Sequence, residues 1–180
     1  LGAMYMSGIG VPQDDKEAAK WYRKAAEQGN THAQNNLGAM YDNGRGVPQD
    51  YFEAVKWYRK AAEQGDADAQ YNLGFMYMNG RGVPQDDKEA VQWYRKAAEQ
   101  GESMAQTNLG VMYHTGVGVT QDNVMAYFWW NLAATEGNAK AEELKDIVKG
   151  LMTPTEVEKA QRLTYEWYQR HNSEQADFTE

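Results

Sequence analysis

Apolar residues recur along the chain in two alternating patterns, each with the three- and four-residue spacing of one helix face. Between residues 29 and 66 the first pattern predicts a helix over about 31–42, built on Ala33, Leu37, Met40 and Tyr41. The second predicts a helix that begins after Asp50, with a buried stripe of Ala54, Trp57, Tyr58, Ala61 and Ala62. Each pair of patterns therefore predicts a helical hairpin, whose first and second helices we call helix A and helix B.

The residues between the two patterns carry strong signals for helix ends. Gly44 stands where a helix commonly ends in a left-handed residue, and Gly46 and Pro48 prevent helix A from continuing. Asp50 followed by Glu53 is an acidic variant of the capping box, so it predicts the start of helix B.

The hairpin recurs every 36 residues, at intervals marked by Leu1, Leu37, Leu73 and Leu109. Residues 37–72 and 73–108 are identical at 27 of 36 positions. A period in the thirties is typical of stacked helical hairpins, in which each unit buries its apolar face only against its neighbours. Such a stack presents an extended surface rather than an enclosed pocket, which favours binding over catalysis.

One repeat resembles the Sel1-like repeat family, a relative of the tetratricopeptide repeats with a longer loop, in the sequence AQNNLGAMYDNGRGVPQDYFEAVKWYRKAAEQG. The resemblance implies an all-α fold, a right-handed superhelical solenoid of 36-residue helix-turn-helix repeats closed by a C-terminal helical cap. It also implies an adaptor that holds protein complexes together, often at membranes or in bacterial secretion and host contact. A bacterial source is expected on the same ground.

The resemblance runs from Leu1 to about Gly137 and defines the expected organisation. The predicted segments are four repeats at 1–36, 37–72, 73–108 and 109–137, capping helices at 138–170, and a polar, flexible tail at 171–180. Because Leu1 aligns with Leu37, inside helix A, the first repeat is expected to be a truncated one. Its uncapped apolar end then predicts end-to-end self-association. The expected location is periplasmic or secreted if a signal was removed, and otherwise cytoplasmic.

The fourth repeat departs from the others and predicts the cap. Its helix B is apolar on more than one face, through Val124, Tyr127, Phe128, Trp129, Trp130 and Leu132. A helix of this kind is covered on both sides, so the residues after it must pack on it. One short helix is predicted over Ala139 to about Lys149, with Gly150 as its stop. A capping box from Thr153 to Glu156 then predicts a helix that ends near Arg170.

Composition and charge narrow the classes of partner. Hydrophobic residues make up 42% of the 180 residues, enough to form a core, and the formal net charge is −8. An acidic solenoid repels phosphate backbones, which disfavours nucleic acid. The absence of cysteine excludes disulfides, and no apolar run approaches the ~20 residues that a bilayer span needs.

Most of the positions of helix A that change between repeats share one face. These positions are 32/68/104, 35/71/107, 3/39/75/111 and 6/42/78/114, a spacing of three, four and three. In tetratricopeptide-like solenoids helix A lines the concave surface, so this face is predicted to be the floor of a binding groove. The predicted contacts, with the constant asparagines beside them, are Asn36, Ala39, Asp42, Tyr71, Asn72, Phe75, Met78, Met104, Thr107, Asn108, Val111 and His114.

A structural interpretation of the same positions stays open. Variable positions can vary because nothing constrains them, and Phe75 or Met78 can simply pack on the next helix A. The constant asparagines can satisfy groups between repeats instead of binding a peptide backbone.

Basic residues recur on helix B and offer a second surface. They are Lys20, Arg23, Lys24, Lys56, Arg59, Lys60, Arg95 and Lys96. They suit an acidic partner or a membrane surface. However, Glu27, Glu63 and Glu99 follow the arginines at i+4, which favours local ion pairs on a solvated face.

Candidate catalytic chemistry is sparse. None of Ser7, Ser103 and Ser173 is followed by lysine at the third position, and the three histidines show no metal-ligand spacing. We therefore expect no catalytic residues, no metal and no cofactor. The favoured function is a non-catalytic scaffold that binds protein or peptide. The alternatives are an envelope factor that binds peptidoglycan or glycan through residues such as Tyr71 and Phe75, and a β-lactam hydrolase, which the missing S-x-x-K pair disfavours.

Overall fold

The computed structural model describes the backbone of residues 1–177 and the side chains of residues 1–171. This part of the chain is all-α, as predicted, and contains no strand. Its helices are α1 (Gly2–Ser7), α2 (Asp15–Glu27), α3 (Thr31–Asn43), α4 (Tyr51–Glu63), α5 (Ala67–Asn79), α6 (Asp87–Glu99), α7 (Ser103–Thr115), α8 (Asn123–Thr135), α9 (Ala139–Lys149) and α10 (Pro154–Asp177). Consecutive helices pack on one another as hairpins within each of two compact units, Leu1–Ala97 and Ala98–Glu180.

In the first unit, helix A approaches helix B closely because a glycine faces an aromatic ring. A Cβ atom added to Gly38 would lie 2.7 Å from Cδ1 of Tyr58, and one added to Gly74 would lie 2.8 Å from Cδ1 of Tyr94. Leu37 and Leu73 are fully buried beside these contacts. The core is therefore a series of repeated small-to-large contacts.

Main-chain hydrogen bonds close the loop inside each hairpin. The backbone N–H of Asp50 donates to the carbonyl of Tyr41 at 3.0 Å, while its side chain accepts from Phe52 and Glu53. The predicted capping box is therefore only half formed. The Glu53 carboxylate accepts from Lys56 at 2.8 Å instead, because the Asp50 N–H already has a partner.

The glycine-rich loops also touch the preceding helix B through backbone atoms. Gly46 and Gly82 have φ angles of +71° and +67°. A Cβ atom would lie 2.0 Å from the carbonyl oxygen of Asp15 in the first case and 2.2 Å from that of Tyr51 in the second. Only glycine fits at either position.

In the second unit, α8 packs against α7, α9 and α10 and its apolar residues are buried, which confirms the prediction that the residues after it would cover it. The Trp130 indole is 1% exposed and its N–H donates to the Thr107 carbonyl at 3.0 Å. α9 has the predicted bounds. At the start of α10, the backbone N–H of Thr153 donates to the Glu156 carboxylate at 2.7 Å. α10 continues to Asp177 rather than ending near Arg170, and the last residues of the predicted tail, 178–180, lie outside the described residues.

Buried glutamines tie each helix A to the helices around it. The Gln34 amide donates to the Ala26 carbonyl at 3.1 Å and its oxygen accepts from Gln64 at 2.6 Å. Gln106 occupies the equivalent place in the second unit and donates to Ala98. Its oxygen has no hydrogen-bond partner, because Glu136 replaces the donor glutamine and a carboxylate cannot donate.

We expect Glu136→Gln to raise the free energy of unfolding by about 1 kcal/mol, because the new amide can donate to the buried Gln106 oxygen. Urea denaturation followed by circular dichroism measures the change. Glu136→Ala is the matched control, since it removes the charge without adding a donor. A gain that is equal in both variants would assign the effect to charge alone and contradict the expectation.

Candidate partner-binding surface

The predicted contact residues lie on three helices: α3 and α5 in the first unit, and α7 in the second. On α5, the Tyr71 ring lies 5.7 Å from the Tyr94 ring, centroid to centroid. The Tyr94 hydroxyl donates to the Met78 sulfur at 3.8 Å. Tyr71 and Met78 are half-buried, so they rest on the core and present only part of their surface to solvent.

Phe75 belongs to a small cluster around an arginine. The Arg81 guanidinium lies 5.3 Å from the centre of the Phe75 ring and 5.5 Å from that of Tyr51, within the range of cation–π attraction. Ala39 and Phe75 both pack against the core beside it. This cluster combines apolar surface with an exposed positive charge.

Asp42 is a half-buried carboxylate near the same arginine. One of its oxygens is buried without a hydrogen-bond partner. Burial raises the pKa of Asp42 above its ordinary value of 3.8, and the charge of Arg81 partly opposes this shift. Ionisation of Asp42 therefore costs more free energy in the folded protein than in the unfolded chain.

We expect Asp42→Asn to stabilise the protein at pH 7, by less than about 1 kcal/mol because solvent screens a half-exposed carboxylate. A raised folded-state pKa means that the wild type loses stability as pH rises from below 3.8 through the folded-state pKa. The free energies of unfolding of the wild type and the variant should therefore be similar near pH 3 and differ increasingly as the pH rises above it. Urea denaturation across this range checks the expectation, with the exposed Asp68→Asn as control. A constant difference at all pH values would contradict it.

The amide groups of two constant asparagines already have partners. Asn36 donates to the His32 carbonyl in its own helix at 2.8 Å, and Asn72 donates to the Asn35 oxygen of the preceding helix A at 3.0 Å. The second bond links two repeats, which favours the structural interpretation of these positions. Asn108 is half-buried.

On α7 the predicted residues differ in accessibility. Met104 is 49% exposed, whereas Thr107 is only 7% exposed. The Thr107 hydroxyl donates to the Ser103 carbonyl at 2.8 Å and accepts from Asn138 at 3.1 Å. Thr107 therefore offers no surface to a partner, because the indole of Trp130 and the amide of Asn138 occupy its polar groups.

The other two side chains of α7 are half-buried. Val111 packs against the core of the second unit. His114 Nδ1 forms a hydrogen bond with the Asn123 oxygen at 2.9 Å, and its ring lies 5.8 Å from that of Trp130. Met104 is thus the most accessible apolar side chain on this helix.

Several basic residues of helix B contact aromatic side chains, whereas Lys20 and Lys56 form ion pairs with Glu17 and Glu53 in their own helices. Arg23 donates to the hydroxyl of Tyr41, and Arg59 donates to that of Tyr77 at 2.6 Å. The i+4 ion pairs predicted for these arginines are replaced by hydrogen bonds to the following helix A. The lysines Lys24, Lys60 and Lys96 lie over Trp21, Trp57 and Trp93 at 4.7, 4.6 and 3.8 Å from the ring centres.

Among the described residues, no group of three or more His, Asp or Glu side chains is arranged to hold a metal ion. In the same part of the chain, no helix is long and apolar enough to cross a membrane.

The fold and its repeated contacts define a helical-hairpin repeat protein. The family model of the Sel1 repeat matches residues 1–30, 31–66, 67–102 and 103–138. The chain therefore belongs to the Sel1 repeat family. The second, third and fourth matched segments begin at the start of a helix A, six residues before Leu37, Leu73 and Leu109.

Solved structures of bacterial proteins share the fold. A Sel1 repeat protein from Oxalobacter formigenes is 42% identical over 80% of this chain and 59% of its own, with a TM-score of 0.75. The protective antigen c5321 of uropathogenic Escherichia coli, which displays an SLR fold, is 32% identical over 94% of this chain and 44% of its own, with a TM-score of 0.66. The cysteine-rich protein B of Helicobacter pylori is 26% identical over 73% and 95%, with a TM-score of 0.59. The chain thus spans about half the length of the first two relatives.

Proposed function

We propose that this protein is a non-catalytic scaffold that binds protein or peptide through the helix-A faces of its two units. Sel1 repeat proteins are commonly protein-interaction scaffolds. The observation that carries the proposal is the contrast between repeats. Residues 37–72 and 73–108 share 27 of 36 positions, yet on the helix-A face Ala39, Asp42 and Tyr71 of the first segment correspond to Phe75, Met78 and Thr107 of the second.

The chemistry of each face suits a polypeptide. In the first unit, half-buried aromatic and methionine side chains stand beside the exposed Arg81 and the carboxylate of Asp42, so one surface offers apolar contact and both charges. In the second unit, Met104 presents a flexible apolar side chain. Side chains of these types dominate protein interfaces.

Selection of peptides from a random library on the immobilised protein tests the proposal. Selected peptides should lose at least tenfold in affinity when Phe75→Leu or Met104→Glu is introduced. The matched controls are Phe52→Leu, on a 76% exposed ring of α4, and Ile147→Glu, on a 55% exposed side chain of α9. Circular dichroism confirms that each variant is folded.

Affinity measured by fluorescence polarisation decides between the surfaces. Loss with the α5 or α7 variants and retention with both controls supports the proposal. Failure to select any peptide, or equal binding by all variants, contradicts it. Loss with Phe52→Leu alone would move the site to helix B.

A further inference from the structure

A pocket of about 470 Å³ lies on α2 in the first unit, beside the loop that follows α3. We call it the α2 pocket. Its lining includes Ala19, Val47 and the basic residues Lys16, Lys20, Arg23 and Lys24. All of its lining residues belong to α2 or to that loop, so the α2 pocket is separate from the helix-A faces of the proposed function and can be tested independently of them.

The basic residues of the α2 pocket are a combination that the other helices B do not repeat. Lys16, Lys20, Arg23 and Lys24 follow the spacing of one helix face. In α4, Phe52 stands in place of the first lysine, and in α6 a glutamine stands in place of the second. α2 is therefore the one helix B that carries all four positive charges.

The apolar floor of the α2 pocket also differs from the equivalent place in the next two repeats. Ala19 is 4% exposed and packs in one cluster with the half-buried Val47. Val55 of α4 and Val91 of α6 occupy the position of Ala19. Because alanine lacks the two methyl groups of valine, the floor beside Val47 is deeper here than a valine would allow.

Two lysines bring accessible positive charge to the α2 pocket. Lys16 is exposed, and among the described residues its ammonium group has no hydrogen-bond or ion-pair partner. The Lys20 side chain is 67% exposed, and its ammonium group bonds the Glu17 carboxylate at 2.5 Å. Because solvent-exposed ion pairs are weak, a carboxylate of a ligand can share Lys20 with Glu17 or replace it at little cost.

The other two basic side chains are exposed and retain donors. Arg23 donates to the hydroxyl group of Tyr41, and the Lys24 ammonium lies 4.7 Å from the centre of the Trp21 ring. A guanidinium group has five N–H donors and an ammonium group three, so these contacts leave donors for a ligand. Two glutamates also line the α2 pocket, which leaves an excess of two positive charges in a chain whose formal net charge is −8.

We propose that the α2 pocket binds a short acidic segment of a partner polypeptide, in which carboxylates flank an apolar residue. The carboxylates pair with Lys16, Lys20 and Arg23, through hydrogen bonds that both charges strengthen. The apolar side chain lies on Ala19 and Val47, where the floor has room for it. Charge complementarity selects the segment, and the apolar contact fixes its position.

The range of electrostatic forces favours a short peptide over an extended polyanion. Exposed charges interact over roughly 10 Å at 0.1 M salt, so a short peptide responds mainly to the local excess of positive charge. An anionic bilayer or a nucleic-acid backbone extends over the surrounding surface as well. The net charge of −8 repels both of them.

Titration of the 15N-labelled full chain with acetyl-Glu-Glu-Leu-Glu-Glu-amide, observed at the backbone amide resonances, tests the proposal. The acidic peptide should shift resonances of α2 saturably, with a dissociation constant of about 1 mM or lower. Replacement of its glutamates by glutamine should weaken binding about fivefold or more, and replacement by lysine should abolish it. Replacement of its leucine by glycine should weaken binding about threefold. Added salt should weaken the acidic peptide alone.

Variants of the protein identify the contributing residues. Lys20→Gln should weaken the acidic peptide about fivefold, whereas Lys56→Gln should leave its affinity unchanged. The control is closely matched, because Lys56 forms the same kind of ion pair in α4, with Glu53 at 2.8 Å. Ala19→Val should also weaken binding about fivefold without changing the charge, since the valine fills the floor. The same residue type occupies this position in α4 and α6, and circular dichroism confirms that the variant is folded.

Several outcomes would overturn the proposal. They are equal affinity for the acidic and glutamine peptides, equal losses with Lys20→Gln and Lys56→Gln, full binding by Ala19→Val, and no saturable shift. Binding to vesicles of phosphatidylcholine and phosphatidylserine without binding to the acidic peptide would assign the α2 pocket to a membrane surface instead. Phe75→Leu should leave the acidic peptide unaffected, so a failure here is distinguishable from a failure at the helix-A faces.

Discussion

Gly82→Ala is expected to lower the free energy of unfolding of the first unit by about 3 kcal/mol or more. The new methyl group would lie 2.2 Å from the carbonyl oxygen of Tyr51 and 2.5 Å from its carbon, and backbone atoms cannot move aside as a flexible side chain can. The φ angle of +67° adds strain for any residue with a Cβ atom. Urea denaturation followed by circular dichroism measures the loss.

Gly65→Ala separates the cost of the backbone strain from that of the close contact with the carbonyl group. Gly65 also has a positive φ, +95°, but no atom lies within 4 Å of the Cβ position. This variant should lose only about 1–2 kcal/mol, from backbone strain alone. If Gly82→Ala were no more harmful than Gly65→Ala, the contact between the loop and the preceding helix B would not be tight in solution.

Trp130→Ala is expected to destabilise the second unit by about 3–5 kcal/mol. The indole is 1% exposed and lies so close to Gly110 that a Cβ there would be 2.5 Å from its nitrogen. Its removal leaves a large cavity and takes the donor from the Thr107 carbonyl. Thermal or urea denaturation of the purified variant gives the value.

Trp130→Tyr is the control for this substitution, because Tyr22, Tyr58 and Tyr94 stand at the same position in the other repeats. The tyrosine fills most of the space against helix A, so the loss should stay below about 1.5 kcal/mol. A tyrosine variant as unstable as the alanine variant would show that the indole hydrogen bond, rather than the packed ring, dominates the stability of this hairpin.

The sequence was sufficient for the helices because their signals are local. Gly44 has the left-handed φ of 65° expected at a helix end, and Asp50 caps the next helix with its side chain. The cap was predictable for the same reason, since Thr153 and Glu156 lie three residues apart. The end of α10 differed from the predicted one near Arg170, because the polar segment after Arg170 contains no helix-stopping residue as clear as Gly150.

The sites were less predictable because they depend on contacts between distant residues. Thr107 looked like an exposed member of a helix face, but it is buried by Trp130 and Asn138, which lie 23 and 31 residues away. The arginines of helix B bind tyrosines 18 residues further on rather than nearby glutamates.

The loop contacts of Gly46 and Gly82 have a consequence for how such repeats diversify. Both glycines meet main-chain carbonyls, one at Asp15 and the other at Tyr51, so the same contact forms beside an acidic side chain and beside an aromatic one. The main-chain contact does not depend on the side chain at that position, and the loop arginine contacts either one: Arg45 pairs with Asp15 at 2.9 Å, and Arg81 lies 5.5 Å from the centre of the Tyr51 ring. Mutations there can alter the chemistry of the surface while the architecture is inherited unchanged.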